Sequence, residues 1–289
     1  MTVVVKNLEV TMPLNRRRFL ATAGLGTAAA LGLAPTAKAQ RTVVGTVLDY
    51  SAGVPSGNSI KIAGHLGAVR YVSQPRPEAA WMRGKPVSLA ETLDFKANGL
   101  ATASVYQFGR AQTADWLGGA ASAAVHAPQA IDLHRAAGGP AGRPIYIAID
   151  DNPTRAQYDN QIRPYLRAFS AALSVAGYAT GIYGNYNTIE WALSDGIGTH
   201  FWMHDWGSGG RIHPRAAIHQ VARWKTTIDG VECDINNVYA ADWGQWTPGQ
   251  AAAPSIPVEQ LLQSSRQLSS QLPANLDQAI AQAQMFLNP

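Results

Sequence analysis

Between Val43 and Val238 short apolar runs alternate with longer stretches of helical periodicity. The runs cover 43–49, 68–73, 102–108, 145–150, 180–183, 200–205, 217–221 and 232–238, giving eight candidate strands. Between them 60–64, 88–98, 113–137, 154–176 and 186–194 read as helices, with weaker connections late in the chain. The fourth helix is the clearest: Tyr158, Ile162, Tyr165, Leu166, Phe169 and Leu173 recur at three- and four-residue spacing. Asn152-Pro153 offers it an N-cap with proline at the first helical position, and Gly177 a stop. Repeated β-then-α units with apolar strands predict a parallel sheet covered on both faces. Eight of them predict an α/β protein with a single (β/α)8 TIM-like barrel. An open doubly wound sheet is the alternative.

The two ends depart from this pattern. Asn15-Arg16-Arg17-Arg18-Phe19-Leu20 precedes an apolar run from Ala21 to Leu33 and the small-x-small site Ala37-Lys38-Ala39. Together these predict a twin-arginine signal peptide over 1–39 and a secreted or cell-envelope protein exported by the Tat route. The run falls short of the ~20 residues that span a bilayer, so no stable membrane span is expected after cleavage. Residues 40–246 form the predicted barrel. Residues 247–289 read as a Pro/Ala-rich linker followed by an amphipathic helical tail.

Cleavage changes the charge. Of 23 Lys and Arg, Lys6, Arg16, Arg17, Arg18 and Lys38 lie in the signal, as does Glu9 of 19 acids, leaving 18 of each sign. No basic stripe survives, so a nucleic-acid partner is not expected. A single cysteine, Cys233, excludes an internal disulfide and agrees with export in the folded state. A monomer is the expectation.

In a barrel of this kind the working side chains come from the C-terminal ends of strands. Those ends are rich in carboxylates, amides and aromatic rings: Asp49-Tyr50-Ser51, Arg70-Tyr71, Tyr106-Gln107, Asp150-Asp151-Asn152, Tyr183, Trp202 with His204-Asp205, His219-Gln220, and Glu232 with Asp234. Rings stack on sugar faces while carboxylates and amides hold hydroxyls, and paired carboxylates are what glycoside hydrolysis requires. Asp49, Asp150 and Asp234 are the catalytic candidates. Period-two alternation sends Asp150 and Asp151 to opposite sides, with Asp150 preferred for the mouth. Tyr71, Gln107, Tyr183, Trp202, Asp205 and Gln220 are the substrate-binding candidates. Asp205 has an alternative reading as a loop ion-pair partner.

Other chemistries find little support. His200 and His204 are four apart on a strand rather than a helix, so neither a metal nor any other cofactor is expected. Ser51, Ser73 and His219 are not set in a G-x-S-x-G elbow. Cys233 has acidic neighbours that would not activate a thiol.

The runs Val47-Leu48-Asp49-Tyr50-Ser51-Ala52-Gly53-Val54 and Arg70-Tyr71-Val72-Ser73 resemble a Tat-exported actinobacterial glycoside-hydrolase-like family of unknown function. So do Thr113 to Ala120, Ile149-Asp150-Asp151-Asn152-Pro153, Phe201-Trp202, His204, Trp206-Gly207-Ser208, Asp234-Ile235-Asn236 and Gly244-Gln245-Trp246. The resemblance implies a TIM-type barrel related to the Chalaropsis-type lysozymes, glycoside hydrolase family 25, which cut peptidoglycan. It matches Asp49 to their strand-one Asp. Their strand-four Asp-x-Glu is replaced here by Ala148-Ile149-Asp150-Asp151. Two functions follow as expectations: a hydrolase of cell-wall peptidoglycan or related polysaccharide with Asp150 as proton donor and Asp49 or Asp234 as its carboxylate partner, or a catalytically inactive wall-glycan-binding barrel.

Overall fold

A computed structural model describes residues 41–251. The predicted export signal of 1–39 and all but the first residues of the predicted tail of 247–289 lie outside the described residues. Period-two alternation organises the barrel wall. On β4 (Pro144–Ala148) Tyr146 and Ala148 face the interior, while Ile145 and Ile147 face the surrounding helices. The interior also takes Val47 of β1 (Gly45–Asp49), Val69 of β2 (Gly67–Tyr71) and Ala103 and Val105 of β3 (Ala101–Tyr106). Tyr183 of β5 (Ala179–Gly184), Trp202 of β6 (His200–His204), Ile218 of β7 (Ile218–Ile228) and Val238 of β8 (Val231–Val238) complete it. The eight strands close in chain order. Gly181 makes room for this filling, because a Cβ there would lie 2.5 Å from the Tyr146 ring.

Among the described residues six α-helices accompany the strands: α1 (Gly57–Ile62), α2 (Leu89–Ala97), α3 (Gly119–Ala136), α4 (Arg155–Gln157), α5 (Arg163–Val175) and α6 (Tyr186–Ser194). A π-helical turn over Tyr158–Ile162 joins α4 to α5, and the predicted face of Tyr158, Ile162, Tyr165, Leu166, Phe169 and Leu173 is fully buried. The cap differs from expectation. Thr154 caps this segment through a capping box with Gln157, and Asn152 instead accepts from Asn185 Nδ2 at 2.8 Å. The shorter Thr154 side chain sits at the position from which the free backbone N–H groups can be reached.

The last third departs from a strict β-then-α repeat. No helix separates β6 from β7, and β7 joins β8 in a hairpin through Asp229 (φ +50°) and Gly230 (φ +77°). Two positive φ angles are what a two-residue turn needs to match the twist of its flanking strands. β8 therefore runs antiparallel to both β7 and β1. The β7–β8 register slips between Gln220 and Lys225, marking a bulge. Beyond β8 the chain crosses the opposite end of the barrel, where Trp246 pairs with Thr102 and Tyr146 donates to the Trp243 carbonyl at 2.9 Å. Among the described residues no helix is long and apolar enough to cross a membrane.

Candidate active site

The parity that faces apolar side chains into the barrel brings polar ones to its mouth. Val47 leads to Asp49, Val69 to Tyr71, Val105 to Gln107, Ala148 to Asp150, and Ile218 to Gln220. With Tyr183, Trp202 and Asp234 they line one cavity of about 170 Å³. That is small beside the ~300–1,000 Å³ of typical small-molecule sites, and suits a single ring-sized group at its floor. Asp234 reaches the mouth for a different reason. Because β8 is antiparallel, its N-terminal half lies level with the C-terminal end of β1, and Asp234 falls directly opposite Asp49.

Eight of the nine sequence candidates thus share the cavity wall; Asp205 does not. Asp205 Oδ1 lies 2.5 Å from His219 Nε2, and Oδ2 accepts from the Ala222 backbone N–H at 2.8 Å. It follows β6 on a connecting turn, and that position aims it at the β7 bulge rather than at the mouth. Arg223 within the bulge adopts φ +64°, a conformation that needs outside support in a residue with a Cβ. The carboxylate ties His219 to Ala222, immediately before the strained residue.

Asp49 is 3% exposed and held by two amides. Its Oδ2 accepts from Asn236 Nδ2 at 2.7 Å and Gln220 Nε2 at 2.9 Å. Both amides are oriented from behind. The Trp202 indole can only donate, and its bond to Asn236 Oδ1 (2.8 Å) turns the Asn236 nitrogen toward Asp49. The Tyr183 hydroxyl donates to Gln220 Oε1 at 2.6 Å and so does the same for Gln220. Burial, then the nearby Asp234 carboxylate, pushes the Asp49 carboxyl up to about 7, outweighing the two amide bonds.

Across the cavity Asp150 Oδ2 accepts from Gln107 Nε2 at 3.1 Å, and Oδ1 lies 3.5 Å from the Tyr183 hydroxyl. Asp151 turns away and accepts from Trp116 Nε1 at 2.8 Å. Burial raises the Asp234 carboxyl from its ordinary range, opposed by the Lys225 ammonium 3.8 Å away. Burial also holds the Tyr71 and Tyr183 phenols well above their usual pKa, so both stay protonated donors.

Sequence reasoning missed two residues. Asn236, fully buried, orients Asp49; nothing in its own neighbourhood distinguishes it from any other strand asparagine, though its even spacing from Asp234 was available. Lys85 approaches the wall from the β2–α2 connection, with Nζ 3.7 Å from the Tyr71 ring centroid and 2.9 Å from the Gln107 carbonyl. Arg70, which ends β2 beside Tyr71, faces the other way. It is buried against Glu91 (Nε to Oε1, 2.5 Å), stacks on Tyr50 and donates to the Tyr50 and Gly84 carbonyls. Among the described residues no group of three or more His, Cys, Asp and Glu is placed to hold a metal ion.

The model of the Rv2525c-like glycoside hydrolase-like domain matches residues 58–238. Rv2525c of Mycobacterium tuberculosis, which carries a provisional assignment as a peptidoglycan hydrolase, is 47% identical over 243 residues, covering 81% of this chain and all of that protein. The crystal structure of that Tat-secreted protein with L-tartrate superposes with a TM-score of 0.68 at 50% identity, over 70% of this chain and 99% of the other. A second crystal form with HEPES gives 0.67 at 49% identity and the same coverage. This chain, a closed eight-stranded barrel with carboxylates gathered at its mouth, belongs to the Rv2525c-like glycoside hydrolase-like family.

Proposed function

We propose that the protein acts outside the cytoplasm on the glycan strands of cell-wall peptidoglycan, cleaving a glycosidic bond between Asp49 as proton donor and Asp150 as the opposing carboxylate. Glycoside hydrolysis needs one carboxyl that surrenders a proton to the leaving oxygen and a second that serves as nucleophile or base. The observation that carries this reading is the burial of Asp49, whose pKa near 7 keeps its proton available at neutral pH. Both amide bonds to Asp49 land on Oδ2, which leaves Oδ1 as the oxygen to carry that proton. The assignment reverses the roles expected from the sequence, where Asp150 was the donor. Asp234, opposite Asp49, assists by raising its proton affinity. Tyr71, Gln107, Tyr183, Trp202 and Gln220 hold sugar hydroxyls and faces. The Tat-secreted relative and its provisional peptidoglycan assignment support the compartment and the polymer.

The test is release of reducing ends from purified peptidoglycan. Wild-type protein is expected to release them, and Asp49→Asn and Asp150→Asn to fall by at least about 10³-fold, the scale on which essential acid–base groups act. A wild-type protein that binds glycan yet releases nothing would instead support a non-catalytic wall-glycan binder. That second reading is favoured by one observation: Asp151 is occupied by Trp116, so the end of β4 presents a single carboxylate.

A further inference from the structure

The β2–α2 connection carries two nearly buried cations for which the proposed cleavage has no use. Arg76 and Lys85 are 8% and 7% exposed. Arg76 Nε donates to Glu78 Oε1 at 2.9 Å, and the Glu78 side chain is itself 68% exposed. Lys85 is less well matched. Its ammonium has three N–H groups to place, and among the described residues a single acceptor, the Gln107 carbonyl, meets it. The Tyr71 ring covers another side. Tyr71 and Gln107 both line the cavity, so the charge lies directly behind two of its lining residues, within reach of a ligand group that parts them.

The surrounding groups do not neutralise it. Arg76 and Arg70 add positive charge from the same strand and connection. Asp115, before α3, is engaged by the backbone N–H groups of Phe108 and Gly109 at 2.8 and 2.7 Å. Asp150, held by the Gln107 side chain, favours the charge least of the groups around it. Burial, reinforced by Arg76, pulls the lysine pKa down to about 7. A cation taken out of water without a paired anion is costly, and an incoming anion relieves that cost.

Resting on the reading of the cavity as a sugar site, we propose that Lys85, backed by Arg76, is a subsite for the carboxylate of an acidic sugar residue. In peptidoglycan the muramyl lactyl carboxylate is free only where the stem peptide has been removed. The subsite therefore selects peptide-free glycan, and the reaction that supplies this substrate is an amide hydrolysis. The same chemistry would accept a uronate.

A matched pair of ligands tests this by titration calorimetry on the intact protein: an N-acetylglucosaminyl–N-acetylmuramic acid disaccharide, and the same disaccharide with its lactyl carboxylate converted to an amide. The acid is expected to bind at least tenfold tighter at pH 6.5. Because Lys85 loses its charge as pH rises, the ratio shrinks toward pH 8.5; near pH 7.5 the acid alone takes up a proton on binding, seen as a dependence of the heat on the buffer. Lys85→Met brings the ratio to within about twofold, and Lys85→Arg retains part of it. A glucuronate-containing disaccharide separates the two carboxylate sources, the tighter acid being the one the site serves. Equal affinity of wild-type protein for acid and amide would overturn the subsite while leaving the sugar site standing. Binding of neither would overturn both.

Discussion

Asp49 and Asp234 stand opposite each other in the antiparallel register of β1 and β8, two carboxylates on neighbouring strands facing one cavity. Directly opposed like charges destabilise a strand pair. The conflict is eased by protonation, and Asp49, the more deeply buried of the two, takes the proton. Burial is the larger cause of that proton's retention, and the direction of the last strand, which sets Asp234 against Asp49, adds to it.

This arrangement makes stability depend on pH with a definite sign. Asp49 is raised from 3.8 to about 7, so between those values the folded protein holds a proton that the unfolded chain has lost. Stability from this group therefore falls as pH rises from about 4 to 7 and levels off above. Asp49→Asn keeps an acceptor for both amides and removes the charge. Denaturant unfolding is expected to show the variant equal to wild type near pH 4 and more stable near pH 8, by on the order of 2–4 kcal/mol. A difference that does not change with pH would count against the raised pKa.

Asp205 holds the β7 bulge next to Gln220, which in turn holds Asp49. Asp205→Ala leaves the Ala222 N–H and His219 without their acceptor, at about 1–3 kcal/mol. Turnover is expected to drop roughly tenfold through kcat, as small misplacements of working groups do. Asp205→Asn, which can still accept from Ala222, should lie between the two. Steady-state kinetics on peptidoglycan fragments checks the order.

Arg70 and Glu91 form an ion pair with side chains 0% and 2% exposed. Arg70→Ala strands a buried carboxylate and is expected to cost about 3–5 kcal/mol in thermal or denaturant unfolding. The double change Arg70→Met with Glu91→Leu should recover most of that loss, since it removes both charges together.

Gly181→Ala is expected to destabilise by about 1–3 kcal/mol, because its Cβ enters the Tyr146 ring inside the barrel. Combining it with Tyr146→Leu should lessen the penalty. Non-additive unfolding free energies in this cycle would identify the clash as its cause.

The strands and their inward faces were legible because alternation is a local property. Val47 and Asp49, or Ala148 and Asp150, share a side whatever the rest of the chain does. The hairpin signal Asp229-Gly230 was also legible, but the expectation of β-then-α repeats obscured it. Lys85 and Arg70 could not be assigned in this way. One lies on an irregular connection and the other sits one residue from Tyr71, and only packing shows that Lys85 approaches the cavity while Arg70 turns to Glu91.

By itself the sequence determined eight strands, the polar character of their ends, and the residues able to face a common mouth, since periodicity and composition act over a few residues. Only the tertiary structure decided that β8 runs backwards, that Asp234 meets Asp49, and that Asp205 serves the bulge instead of the cavity. It also decided which carboxyl keeps its proton. The physical reason is the same in each case: desolvation and charge–charge repulsion depend on distances between residues far apart in the chain, and closure of the barrel sets those distances.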